Sequence, residues 1–118
     1  MTDTNNPLGS VFVTERAIAT IAHQAALQSY GVVGLAAKNF IEGWALAIVR
    51  EPLSGVDVRY DGEGVSIDLY IIVEYGTRIK SVSDSVADSV RYQVEKIVSL
   101  PVVQVNVHVR GLRISNPD

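Results

Sequence analysis

Between residues 65 and 73 aliphatic side chains recur at every second position: Val65, Ile67, Leu69, Ile71 and Val73. Successive side chains of a strand point to opposite faces, so residues 65–75 read as a strand with one apolar face. Val103, Val105, Val107 and Val109 alternate with Gln104, Asn106 and His108 more strictly still, and predict a second strand of the same kind. The stretch between them changes period. Ile79, Val82, Val86, Val90, Val94 and Ile97 are spaced by three or four residues, which predicts a long helix with one apolar stripe. Its opposite face carries Ser81, Asp84, Ser85, Asp88, Arg91 and Glu95, where Asp88 with Arg91 and Arg91 with Glu95 have the spacing of helical ion pairs. Leu100-Pro101 ends the helix, because the residue before a proline is driven out of the helical region.

Upstream the pattern is less regular. Residues 10–13 read as a short edge strand, with Thr14 capping a helix that begins at Glu15 and Gly31 ending it in a left-handed conformation after Tyr30. Ile18, Ile21, Ala22 and Ala25 share one stripe, and the alanines permit close approach to a sheet. His23 lies about 140° from Ile18 around that helix and is expected in solvent. Phe40, Ile41, Trp44, Ile48 and Val49 have helical spacing, with Lys38, Glu42 and Arg50 interspersed, and predict a short amphipathic helix broken near Gly43. Pro52 and Gly55 release the chain into a strand over residues 56–60. Asp61-Gly62-Glu63-Gly64 then supplies the positive backbone angles of a tight hairpin into residues 65–75. The expected architecture is α+β: a two-layer sandwich in which a small, mostly antiparallel sheet carries two long helices on one face, in β-α-β-β-α-β order. One domain is expected over residues 9–115, with disordered tails at 1–8 and 116–118.

Composition narrows the chemistry. Of 118 residues none is cysteine, which excludes a disulfide framework, thiolate catalysis and cysteine-based zinc sites. A net charge of −3 argues against general affinity for nucleic acid backbones or anionic lipid. Residues 1–7 are polar and lack the basic and apolar regions of a secretory signal, and the longest apolar run, residues 44–49, is too short to cross a bilayer. The expected location is the cytoplasm, with any membrane association made through a partner. Neither a Gly-x-Ser-x-Gly elbow, a His-Glu-x-x-His pair nor a phosphate loop is present, and no cofactor is expected. Gly62-Glu63-Gly64 opens like a dinucleotide fingerprint, but Ile67 stands at its sixth position and a strand follows.

Two weaker signals involve chemistry. His108 is expected to share the outward sheet face with Asp68, Tyr70, Asn106 and Arg110, and an imidazole beside a carboxylate is the minimum for acid–base work. A flat sheet surface lacks the concavity and water exclusion such work requires, so a solvated face is the preferred reading. Gly31-Val32-Val33-Gly34 has the spacing of the backbone clamp in KH-type RNA-binding domains, but its two valines offer no cation to phosphate. Stronger signals are apolar residues where water is expected. Tyr70 and Ile72 fall among Asp57, Arg59, Asp68, Glu74, Gln104, Asn106, His108 and Arg110, an apolar centre in a polar rim. Phe40, Ile41, Trp44 and Ile48 offer more apolar surface than one short helix needs. The candidate partner interface is therefore Phe40, Ile41, Trp44, Ile48, Tyr70, Ile72, Asn106, His108 and Arg110.

Four blocks in order carry a family resemblance: Thr14-Glu15-Arg16-Ala17-Ile18-Ala19-Thr20-Ile21-Ala22; Tyr30-Gly31-Val32-Val33-Gly34-Leu35; Asp68-Leu69-Tyr70-Ile71-Ile72-Val73-Glu74-Tyr75-Gly76; and Val105-Asn106-Val107-His108-Val109-Arg110-Gly111. Over about residues 9–115 the chain resembles the alkaline shock protein family of bacteria, also called Gls-type general stress proteins. Ala36-Ala37-Lys38-Asn39 and the closing Gly111-Leu112-Arg113-Ile114-Ser115-Asn116-Pro117 resemble its YloU-type branch, whose genes commonly stand beside one for a dihydroxyacetone-kinase-like fatty acid kinase. The resemblance implies a cytoplasmic protein without enzymatic activity or cofactor, linked to envelope stress and lipid metabolism. It also implies self-association and, in some members, attachment to a membrane anchor protein. The function expected first is thus a homo-oligomeric adaptor or regulatory protein of envelope stress. The second is an accessory partner of the fatty acid kinase, docking through Phe40, Trp44 and Ile48, and the third a KH-like RNA-binding module.

Overall fold

A computed structural model describes residues 7–37, 48–49, 51–60 and 62–114. The elements are α1 (Pro7–Leu27), β1 (Val32–Ala36), β2 (Ile48–Val49), the single-turn α2 (Pro52–Gly55), β3 (Val56–Tyr60), β4 (Val65–Glu74), α3 (Ile79–Val98) and β5 (Val102–Arg113). β4 is the central strand. β5 runs parallel along one of its edges from end to end, while β3 and β1 share the other edge in tandem, both antiparallel. β2 extends the sheet beyond β1. The expected two-layer α+β architecture, mostly antiparallel with helices on one face, is the observed one.

The alternation in β4 determines which face the helices cover. Val65, Ile67, Leu69, Ile71 and Val73 are all fully buried, in one core cluster with Val82, Val86, Val90 and Val94 of α3 and Ile18, Ala19, Ala22, Ala25 and Ala26 of α1. Each large side chain buried in this way stabilises by about 1.5–3 kcal/mol. The alanines of α1 present little bulk, so the helix lies close against its neighbours, as their number predicts. At the two ends of α3, Ile79 and Ile97 stay exposed although they belong to the predicted stripe, and in the last turn it is Val98 that packs against the core. The hairpin is in the expected place, with Val56 opposite Leu69 and Tyr60 opposite Val65.

Several expectations are corrected. Residues 10–13 are not an edge strand, since α1 is continuous from Pro7 and Thr14 lies inside it. The same helix includes positions 7 and 8, assigned above to a tail. Gly31 does take a left-handed conformation, with φ +88°, but α1 ends earlier, at Leu27, and a turn intervenes. Ile48 and Val49 belong to a strand, opposite Ala36 and Leu35, rather than to an amphipathic helix. Phe40, Ile41 and Trp44 lie outside the described residues. Arg91 and Glu95 reach the start of β5: the Arg91 guanidinium donates to the Val102 carbonyl, and the Val102 N–H donates to Glu95 Oε2 at 2.9 Å.

His23 is buried, not solvated, at 6% exposure. α1 buries a wider face than one stripe, because it packs against α3, α2, β1 and β3 together. Ala19, Ala22 and Ala26, which flank His23 on the helix, are the signal in the sequence for that close packing. Its Nε2 has no hydrogen-bond partner, and an orphaned buried polar atom typically costs about 1–3 kcal/mol. His23→Leu is therefore expected to raise stability by about 1 kcal/mol in urea unfolding. A loss of stability instead would show that the imidazole makes a bond worth keeping.

Candidate functional site

The open face of the sheet is built by the even-numbered residues of β4, the odd-numbered residues of β3 and, between the two bulges of β5, its even-numbered residues from 104 to 110. Parallel pairing sets Ser66 beside Gln104, Asp68 beside Asn106 and Tyr70 beside His108, while antiparallel pairing sets Asp57 opposite Asp68 and Arg59 opposite Ser66. Asp68 is the hub. Its carboxylate accepts from Arg59 Nη2 at 2.6 Å and from His108 Nε2 at 3.0 Å, and Asn106 also donates to it. Gln104 Nε2 in turn donates to Asn106 Oδ1 at 3.3 Å. The result is a polar chain across three strands, anchored on Asp68, whose side chain is only 11% exposed.

Burial alone pushes the Asp68 carboxyl up, but hydrogen bonds from His108 and Asn106, with the charges of Arg59 and His108, outweigh it and hold the group below its ordinary value of 3.8. The Arg59 side chain is 57% exposed, so solvent weakens its share. An ionised carboxylate only accepts, which assigns the Nε2 proton to His108 and leaves Nδ1 of the ring to other partners. The imidazole stacks on Tyr70, with centroids 4.7 Å apart and planes 13° from parallel, and the Arg110 guanidinium lies 4.9 Å from the Tyr70 ring centre. Stacking and cation–π attraction hold an aromatic pair and an exposed cation in one rigid arrangement.

A carboxyl with a depressed folded-state value stabilises the fold above its unfolded value, and that contribution is lost as pH falls through the lower folded value. Asp68→Asn is accordingly expected to be less stable than the parent at pH 7, with the gap closing only below pH of about 4. Parallel urea titrations of both proteins from pH 7 to pH 2 would measure this. A constant gap would show that Asp68 acts by shape and not by charge.

The structure thus brings Tyr70, Asn106, His108 and Arg110 together as predicted. Ile72 does not join them: it lies between Gly34 and Gly111 in the sheet, is 1% exposed, and offers no surface to a partner. Ile48 is in β2, remote in the sheet order from β5. The Gly31–Gly34 clamp is also ruled out, since Gly34 is a buried strand residue paired with Ile72, not part of a loop. The hub role of Asp68 and the ring stack were missed in detail, because both depend on the parallel register of β4 and β5. Among the described residues no group of three or more His, Cys, Asp or Glu side chains is placed to hold a metal ion. No described helix is long and apolar enough to cross a membrane.

The fold is thus a two-layer α+β domain with a polar network and an aromatic pair on its open face. Residues 3–114 match the alkaline shock protein 23 family, described as having a cell envelope-related function, and the chain belongs to that family. It is 41% identical to the uncharacterized protein YloU of Bacillus subtilis (strain 168), over 92% of each chain. It is also 30% identical to the uncharacterized protein Spy1614 of Streptococcus pyogenes serotype M6, over 93% of each. A stress response regulator gls24 homolog of Streptococcus pyogenes serotype M3 is 30% identical over 70% of this chain, which spans about half (52%) of that protein. Among solved structures a variant of the MamM CTD superposes with a TM-score of 0.51 over 86% of this chain and 87% of that one, at 16% identity. That likeness is one of fold.

Proposed function

We propose that this protein is a non-enzymatic regulatory adaptor of the bacterial envelope stress response, located in the cytoplasm, which self-associates and works through protein contacts on its open sheet face. The observation that carries this reading is the Tyr70–His108–Arg110 group, whose imidazole is held by Asp68 and which is presented on a surface instead of in a cleft. Aromatic and arginine side chains are the residue types that dominate protein interfaces. Rigid presentation lowers the ordering cost of docking. The relation to a stress response regulator homolog and to a family of cell envelope-related function supports the cellular role.

The test is complementation. A strain lacking the gene is expected to regain tolerance of envelope stress when supplied with the parent protein, and not with Tyr70→Ala/Arg110→Glu. The variant's urea midpoint should fall only slightly, because both side chains lie on the open face and only the stacking and cation–π contacts are lost. Equal rescue by the variant would remove the open face from the function.

A further inference from the structure

Among the described residues the longest strand of this sheet is paired along one edge only. Within those residues β5 pairs only with β4, so over residues 103–112 no strand is paired to its other edge. The competing edges are short: β2 has two residues and β3 five. Folded proteins blunt exposed edges with prolines, charges turned inward, bulges or a covering segment. β5 has bulges near its two ends, at 102–104 and 109–111, and its first residue is engaged by Arg91 and Glu95. Residues 104–109 between them have no proline, no inward charge and a regular ladder on the inner side. On their helix-facing side Val105, Val107 and Val109 are only partly buried, unlike the fully covered row of β4.

We propose that a second copy of this chain covers this edge, its β5 running antiparallel to the first about a two-fold axis at Val107. The proposal rests on the self-association read above and assigns it a surface. A two-fold axis normal to the sheet keeps both helix layers on one side and sets residues of the same face opposite each other. Centred on Val107, it places Val105 against Val109 of the second copy, so all three half-buried valines meet valine. On the open face it sets Asn106 against His108, and Arg110 against Gln104 rather than against another cation. The same strand is thus complementary to itself in hydrogen bonding, in apolar contact and in charge, which an unrelated extended peptide would match only by chance.

The chain has no cysteine, so introduced thiols report on this geometry alone. In the proposed register the two copies of residue 107 are directly opposite, with Cα atoms about 4.5–5.5 Å apart, inside the range a disulfide spans. Two copies of residue 105 would stand about 14 Å apart, outside it. Val107→Cys is expected to convert largely to a linked dimer under mild oxidant, Val105→Cys and the helix control Asp88→Cys to remain mostly free, and Val105→Cys/Val109→Cys to link. Circular dichroism confirms that each variant is folded, and light scattering of the parent across a dilution series gives its oligomeric state independently. A parent that is dimeric while Val107→Cys stays reduced would overturn edge pairing and leave self-association standing. A parent that is monomeric at every concentration would overturn both.

Discussion

Leu69→Ala should cost about 2–5 kcal/mol of unfolding free energy, a large part of the roughly 5–15 kcal/mol available to a domain of this size. Leu69 is fully buried in the central strand, with Val56 beside it on β3 and Val107 on β5. It therefore supports the packing of three strands as well as the helix layer. Truncation leaves a cavity that the neighbours cannot fill without breaking the β4 ladders on either side, which places the cost toward the upper end of that range. Urea denaturation monitored by circular dichroism would show the midpoint fall with little change in slope. A loss below 1 kcal/mol would mean that the two layers close over the gap, and that the core is softer than the full burial of its strand row implies.

Gly31→Ala should cost about 2–4 kcal/mol, from two separate causes. At φ +88° any L side chain is strained, and the added Cβ would come within 2.6 Å of Val82 Cγ2. Val82 is a core residue near the start of α3, so relief requires its stiff, packed side chain to leave its preferred rotamer or the helix to move. Gly62→Ala separates the causes, because Gly62 has φ +94° but open space around it. Its expected cost is about 1 kcal/mol, the backbone share alone. Equal losses for the two variants would show that the contact with Val82 relaxes freely.

What the sequence disclosed of this fold follows the strength of its periodic signals. The period of two in β4 and β5 and the spacing of Val82, Val86, Val90 and Val94 predicted central strand, returning strand and covering helix, because burial on one face imposes those spacings. The start of α1 and the short strands β1 and β2 were hidden for the opposite reason. Residues 10–13 are apolar enough for either structure, and Val32–Ala36 owes its place to pairing with β4, a tertiary effect that no local pattern records. The open face was legible in membership but not in detail. Alternation indicated that Tyr70, Asn106, His108 and Arg110 point the same way, whereas the contact of His108 with Asp68 needed a register between residues forty positions apart. Ile72 was misread because alternation gives direction and says nothing of cover.

The parallel partnership of β4 and β5 also has a consequence in time. Ser66 meets Gln104 thirty-eight positions later in the chain, with all of α3 made between them. During synthesis the hairpin of β3 and β4 can close as soon as it leaves the ribosome. The other edge of β4 then stays bare until residues 102–113 emerge. Through that interval the valine stripe of α3 is the only part of the later chain able to shield the apolar row of the hairpin, so the nascent protein passes through a stage held by side chains on a sheet whose hydrogen bonding is half complete.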